Sequence, residues 1–357
     1  EEYRNKIAGK TRGLMAPERI IRCVEASLTM PFDDALVFER EQFLECKASE
    51  QSVALRHVFF AERQVAKVPG LSKDITPREV NSVAVIGAGT MGAGIAYSCL
   101  SAGLQVTLLD NSEQGLTAGQ ETIRKLYEGG VARGRLTEAQ AETGLARLQT
   151  TEVLEATAEV DIVIEAAFEN MAIKQEIFAK LDEICKPGAI LATNTSTRDV
   201  DKIAAATRRP EDVIGMHFFS PAHIMRLLEI VRGKETAPDV IVSALAVAKR
   251  LRKLGVVVGN CYGFVGNRML EGYGRESQFL LLEGAAPERI DRALYDWGMA
   301  MGPNAVWDLA GLDVGHKIRQ ERLDLPDDPR YYRIADKLAE SGRFGQKTNK
   351  GMYRYEP

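Results

Sequence analysis

No apolar run in this chain approaches the roughly 18 to 20 residues of a membrane span, so no membrane partner is expected. A surplus of positive charge is also missing. Lysine and arginine number 46 against 50 aspartates and glutamates, a net charge of −4 over 357 residues. Without a basic excess to neutralise a phosphate backbone, nucleic acid is set aside as a partner. Cysteine is scarce. Cys23, Cys46, Cys99, Cys185 and Cys261 are widely separated, odd in number and never in a C-x-x-C. They read as free thiols in a reducing compartment, the cytoplasm in the first instance. Histidine is scarcer. His57, His217, His223 and His316 share no ligand spacing with one another or with cysteine, so no metal is expected. The first residues, Glu1-Glu2-Tyr3-Arg4, carry neither an initiator methionine nor a signal pattern, and a fragment is the expectation.

What is present is an ordinary globular mixture, 45% apolar and 27% charged, with length for two or three domains. Residues 1–66 show apolar residues at helical spacing and predict about three helices and no strand, with Pro17 and Pro31 near helix starts. Lys67–Pro77 is dense in turn formers and reads as a linker. Strand-like runs follow at Ser82–Ile86, Gln105–Asp110, Asp161–Glu165, Ala189–Thr193, Asp212–Met216, Leu227–Val231 and Gly255–Val258. A long helical stretch is expected over 115–147, and helices again over 263–340, before a polar tail at Phe344–Tyr355. Alternation of strand and helix predicts a mostly parallel sheet with helices on both faces. The expected division is 1–78, a helical segment and linker; 79–259, the α/β domain; and 260–357, an all-helical C-terminal domain.

Gly87-Ala-Gly89-Thr90-Met91-Gly92 fits G-x-G-x-x-G. The pattern is weak alone, but here it follows a strand, opens a helix and lies inside a strand–helix–strand unit, the context of a Rossmann-type doubly wound sheet. Gly87 suits a tight turn, Gly89 the approach of a pyrophosphate, and Gly92 close helix packing. The helix N-terminus offers N–H groups to phosphate. Asp110 ends the next strand, where a carboxylate accepts ribose hydroxyls and repels a 2′-phosphate, so NAD rather than NADP is predicted. Ligands of such sheets bind beyond the strands' carboxyl ends. That edge should carry Asp110, Glu165 to Glu169, Asn194-Thr195-Ser196 and His217. Glu229 lies twelve residues after His217 in the next apolar strand. A hairpin-like return between them brings the two face to face. Histidine suits removal of a hydroxyl proton because its pKa lies near neutrality. From spacing alone a structural histidine is as good a reading. Asn194, Ser196 and Asn267 are polar candidates for holding substrate, with helix caps and turns as the plainer alternative.

Gly87–Gly92, Glu165-Ala-Ala-Phe-Glu-Asn170, Asn194-Thr-Ser196, His217–Glu229 and Gly263-Phe-Val-Gly-Asn-Arg268 together resemble the 3-hydroxyacyl-CoA dehydrogenases. The likeness is greatest to the dehydrogenase part of multifunctional fatty-acid β-oxidation enzymes of peroxisomes and bacteria. It covers about 80–357, and residues 1–66 are similar to the last helices of a preceding hydratase domain. The resemblance implies NAD-dependent oxidation of an L-3-hydroxyacyl-CoA, with His217 as base and Glu229 as its partner. Ser196 and Asn267 would then contact the substrate. Asp110, Glu169, Lys174, Ser196 and Lys347 would lie on the cofactor side, with Ser220 where many relatives have Asn. It also implies the peroxisome as the alternative compartment, although Tyr355-Glu-Pro357 is not a Ser-Lys-Leu address. A homodimer is compatible with it, since a second subunit can cover apolar surface left by a missing second helical repeat. Asn304 stands where an aromatic residue is expected near the acyl chain. The hydratase carboxylates are absent, so no hydratase activity is expected. Two readings compete: a 3-hydroxyacid dehydrogenase of another family, for which Phe264–Arg268 lacks the catalytic lysine, and a non-catalytic NAD-binding protein.

Overall fold

The computed structural model describes residues 1–322 and 325–356. Residues 323 and 324, inside the segment expected to be helical, lie outside that description. Two compact units form: Phe59–Asn267, and Glu1–Val58 with Arg268–Pro357.

Four helices open the chain: α1 (Glu2–Thr11), α2 (Met15–Thr29), α3 (Phe32–Ala48) and α4 (Glu50–Gln64). Pro31 is the N-cap of α3, where its fixed φ suits a helix start. Arg78, just past the turn-rich linker, is anchored by ion pairs to Asp212 and Asp239.

The unit Phe59–Asn267 is built on one eight-stranded sheet. Its strands are β1 (Ser82–Ile86), β2 (Gln105–Leu109), β3 (Leu148–Thr151), β4 (Ile162–Glu165), β5 (Ile190–Thr193), β6 (Val213–Phe218), β7 (Leu227–Arg232) and β8 (Leu254–Gly259). The order is β3-β2-β1-β4-β5-β6-β7-β8. The first six are parallel, the doubly wound arrangement whose order reverses between β1 and β4. β7 runs antiparallel to β6 and parallel to β8. Between strands lie α5 (Thr90–Ser101), α6 (Glu113–Ala132), α7 (Glu138–Leu145), α8 (Met171–Ile184), α9 (Val200–Ala204) and α10 (Pro238–Arg250).

The buried strands read as near-continuous apolar runs because both faces are covered. Along β1, Val83 and Val85 join one apolar cluster, and Ala84 and Ile86 another. Alternation along a strand sends neighbours to opposite faces, so one short strand serves two cores.

Two details depart from expectation. The helical stretch 115–147 is broken. Gly134 turns the chain at φ 64° after α6, and Thr137 with Gln140 forms a capping box that restarts it as α7. The strand β3 that follows was not expected. It is short, half-buried and pairs only with β2, so Leu148-Gln-Thr-Thr151 carries little apolar signal.

The other unit continues with α11 (Gly266–Leu282), α12 (Pro287–Trp297), α13 (Pro303–Ala310), α14 (Leu312–Glu321) and α15 (Arg333–Glu340). Asn304 is fully buried and hydrogen-bonds Asp291, so the polar residue at that position braces α13 on α12. Asp308 accepts the N–H groups of Met352 and Tyr353, which fastens the tail.

Candidate active site

The carboxyl edge of the sheet gathers most of the predicted residues. Gly87 has φ 99°, and a Cβ there would sit 2.6 Å from the Ala166 carbonyl oxygen. At Gly92 a Cβ would lie 1.7 Å from the Gly87 oxygen, so α5 can approach the loop only as glycine. Gly89 differs, for a Cβ on it would meet nothing within 4 Å. The loop is therefore closed behind and open at Gly89, beside the first turn of α5, which fits the pyrophosphate of a dinucleotide. Thr90 and Met91 begin that turn. Asp110 follows β2, and its Oδ2 accepts the Ala88 N–H at 2.8 Å. Asp110 thus fixes the glycine loop.

His217 and Glu229 are direct cross-strand partners of β6 and β7. His217 Nδ1 lies 2.7 Å from Glu229 Oε2, with the residues 5% and 1% exposed. The other carboxylate oxygen, Oε1, accepts the N–H groups of Val265 at 3.0 Å and Gly266 at 2.8 Å. Burial raises the Glu229 carboxyl, but the bonds from His217, Gly266 and Val265 outweigh it and hold the group below the usual carboxylate range. An ionised Glu229 only accepts, so the ring donates from Nδ1, and in its neutral form the lone pair sits on Nε2. The rings of Phe219 and Phe264 pack on the imidazole at 4.5 and 5.6 Å. A Cβ at Gly266 would come within 2.6 Å of the Phe219 ring, which explains the glycine before Asn267. Asn267 itself is half-buried in the first turn of α11.

Ser196 lies on the loop after β5, where Glu169 Oε1 accepts its N–H at 2.8 Å and its hydroxyl at 3.2 Å. Asn194 of the same loop accepts the Phe218 N–H at 2.8 Å, tying it to β6. Ser220 is exposed just beyond β6. Lys174, expected toward the cofactor, is only 1% exposed, with its ammonium bound to Glu165 and close to Glu169. Lys347 pairs with Asp313 at 2.5 Å in the helical unit.

A cavity of about 940 Å³ in the unit Phe59–Asn267 escaped sequence reasoning. Arg133, Arg135, Arg147, Arg250, Arg252 and Lys253 line it, and no carboxylate does among the described residues. His223, also in the lining, is pushed below its usual pKa by burial first, then by the charges of Lys253 and Arg133. The signal was divided among three chain segments in a protein of net negative charge.

Acid should weaken this fold. Burial raises the Asp161 carboxyl, yet Lys186 and the groups of Asn81 and Ser82 hold it at about 2. Glu169 is likewise lowered, burial being outweighed by Lys174, Thr195 and Ser196. Folded values below the unfolded ones, about 4, mean stability that is present above that pH and lost as pH falls through the folded values. The unfolding temperature followed by circular dichroism should hold from pH 7 to about 5 and fall steeply below about 4. A flat profile down to pH 3 would contradict these assignments.

A parallel sheet with this glycine loop, an acid after β2 and a buried, carboxylate-held histidine at its carboxyl edge has the equipment of an NAD-dependent dehydrogenase. Residues 82–261 match the family described as "3-hydroxyacyl-CoA dehydrogenase, NAD binding domain", and residues 263–355 match its "C-terminal domain". The chain belongs to the 3-hydroxyacyl-CoA dehydrogenase family. It is 44% identical over 360 residues to the peroxisomal bifunctional enzyme of Cavia porcellus, covering 96% of this chain and 49% of that one. Among solved structures it is similar to FadB2 of M. tuberculosis, with a TM-score of 0.74, 35% identity and coverage of 78% of this chain and 100% of that one. The (S)-3-hydroxybutyryl-CoA dehydrogenase PaaH1 of Ralstonia eutropha gives a TM-score of 0.72 at 34% identity, again over 78% and 100%. The chain spans about half the length of the curated relatives it matches. Among the described residues no helix is long and apolar enough to cross a membrane.

Proposed function

We propose that this chain oxidises an L-3-hydroxyacyl-CoA to the 3-oxoacyl-CoA with NAD. The observation that carries this reading is the buried His217–Glu229 pair, 2.7 Å apart, on the ligand-binding edge of an NAD-binding sheet. NAD, when bound, supplies the hydride acceptor. His217 Nε2 takes the hydroxyl proton as hydride leaves the carbon bearing that hydroxyl, so that the C=O bond forms, and Glu229 stabilises the imidazolium. Ser196 and Asn267 hold the substrate's hydroxyl and thioester oxygens. Glu169 and Asp110 serve the cofactor side, with Ser220 as a further contact there and Lys174 acting through Glu169. Consumption of NADH measured with acetoacetyl-CoA and with free 3-oxoacids tests the reading. Turnover of the thioester alone is expected, whereas equal turnover of the free acids would overturn it.

The cationic cavity suits the phosphate-bearing end of coenzyme A, whose charges it can meet with arginine forks. Arg133→Ala combined with Arg252→Ala should raise KM for acetoacetyl-CoA about tenfold and leave kcat nearly unchanged, with the difference shrinking in salt. A KM equal to wild type at low salt would remove the cavity from substrate binding. Between the two expected compartments, the name of the Cavia porcellus relative favours the peroxisome. The proposed assembly is a homodimer, for which the exposed Met269 and Trp297, at 72% and 81%, offer apolar surface.

A further inference from the structure

Glu165 is fully buried at the end of β4, and the proposed reaction gives it no task. Its carboxylate accepts the Lys174 ammonium on both oxygens, at 2.8 and 3.0 Å. It also accepts the Thr193 hydroxyl at 2.7 Å and the Ala167 N–H at 2.8 Å. Lys174 lies 3.3 Å from Glu169 Oε2 on its other side. Glu169 Oε1 gathers the loop after β5: the Thr195 hydroxyl at 2.7 Å, both donors of Ser196, and the Thr197 N–H at 3.1 Å and hydroxyl at 3.2 Å. The line runs acid, base, acid, then loop.

Burying two charges and half-burying a third is a poor way to gain stability, because desolvation offsets most of the attraction and an apolar filling does as well or better. The line does fix geometry. Glu165 holds the ammonium from one side, so Glu169 spends only one oxygen on it and keeps the other for the loop. Were Glu165 neutral, Lys174 would have one anion left, and both oxygens of Glu169 would turn toward it and away from Ser196.

We propose that Glu165 is a positioning residue, which through Lys174 and Glu169 sets the place of the Ser196 hydroxyl. This rests on the dehydrogenase reading for its kinetic arm and on NAD binding alone for its other arm. Glu165→Gln keeps the shape and removes the charge. It should weaken NADH binding about fivefold by fluorescence titration and lower kcat/KM about tenfold. If Glu165 acts through Ser196, then Glu165→Gln with Ser196→Ala is no worse than the worse single variant, because coupled sites are not additive. Multiplying effects would overturn the proposal, as would wild-type binding and kcat/KM in Glu165→Gln. Should that variant not fold, Glu165→Gln with Lys174→Met removes both charges. It should recover an unfolding temperature near wild type and still bind NADH weakly, because Glu169 then lacks the ammonium that holds its Oε2. Recovery of binding together with stability would reduce the line to a structural role. If the wild-type protein binds NADH but leaves acetoacetyl-CoA untouched, the activity reading fails and the binding arm still decides the role of Glu165.

Discussion

His217→Gln is expected to lower kcat with acetoacetyl-CoA by about 10²-fold or more, with NADH affinity nearly unchanged. Glutamine fills similar space but cannot exchange a proton near neutral pH, and positioned acid–base groups contribute about 10²- to 10⁴-fold. The ring is enclosed by Glu229, Phe219 and Phe264, so the loss should appear in the chemical step. Near-normal turnover in a folded variant would remove His217 from catalysis. Glu229→Gln tests the same pair from the other side. Sequence spacing alone predicts a milder loss, since the ring keeps its place. The structure raises that expectation. Val265 and Gly266 direct two N–H groups at Oε1, so the amide introduced by Glu229→Gln would present its oxygen to them and its NH₂ to the imidazole. His217 Nδ1 would then have to accept, the proton would move to Nε2, and the base would be lost. A loss comparable to that of His217→Gln is therefore expected, and a variant within threefold of wild type would show that the carboxylate does not set the tautomer.

A preference for NADH over NADPH of well over tenfold is the second large expected effect. At an effective dielectric near 20 and about 4 Å, a carboxylate and a phosphate charge repel by roughly 4 kcal/mol before screening. Half of that already exceeds tenfold. Asp110 also accepts the Ala88 N–H, so Asp110→Ala would disturb the glycine loop along with the ribose contact. Asp110→Asn keeps an acceptor for Ala88 and removes the charge. It should narrow the preference mainly by weakening NADH and relieving repulsion of NADPH, read as KM for each cofactor. Equal use of both cofactors by the wild-type protein would exclude this role.

The sheet was legible because most of its strands bury a nearly continuous apolar run, as in Val83–Ile86 and Ile162–Ile164. β3, at the sheet edge, lacks that signal. The glycine loop and Asp110 were legible because dinucleotide chemistry constrains their spacing. His217 and Glu229 could be paired only by supposing a return between their strands, which β6 and β7 make. The cationic cavity and the Glu165–Lys174 pair were not legible, since each joins residues whose proximity only the tertiary fold creates.

Cross-strand register also bears on how such a chain can change over generations. With the rest of each strand held in register, inserting one residue within Val213–Phe218 before His217, or within Leu227–Arg232 after Glu229, would turn His217 or Glu229 to the opposite face of the sheet and part the histidine from its carboxylate. Residues 219–226 carry no such parity, so length variants there can keep the pair. Insertions and deletions should therefore persist among active descendants in the loop and be purged from the two strands.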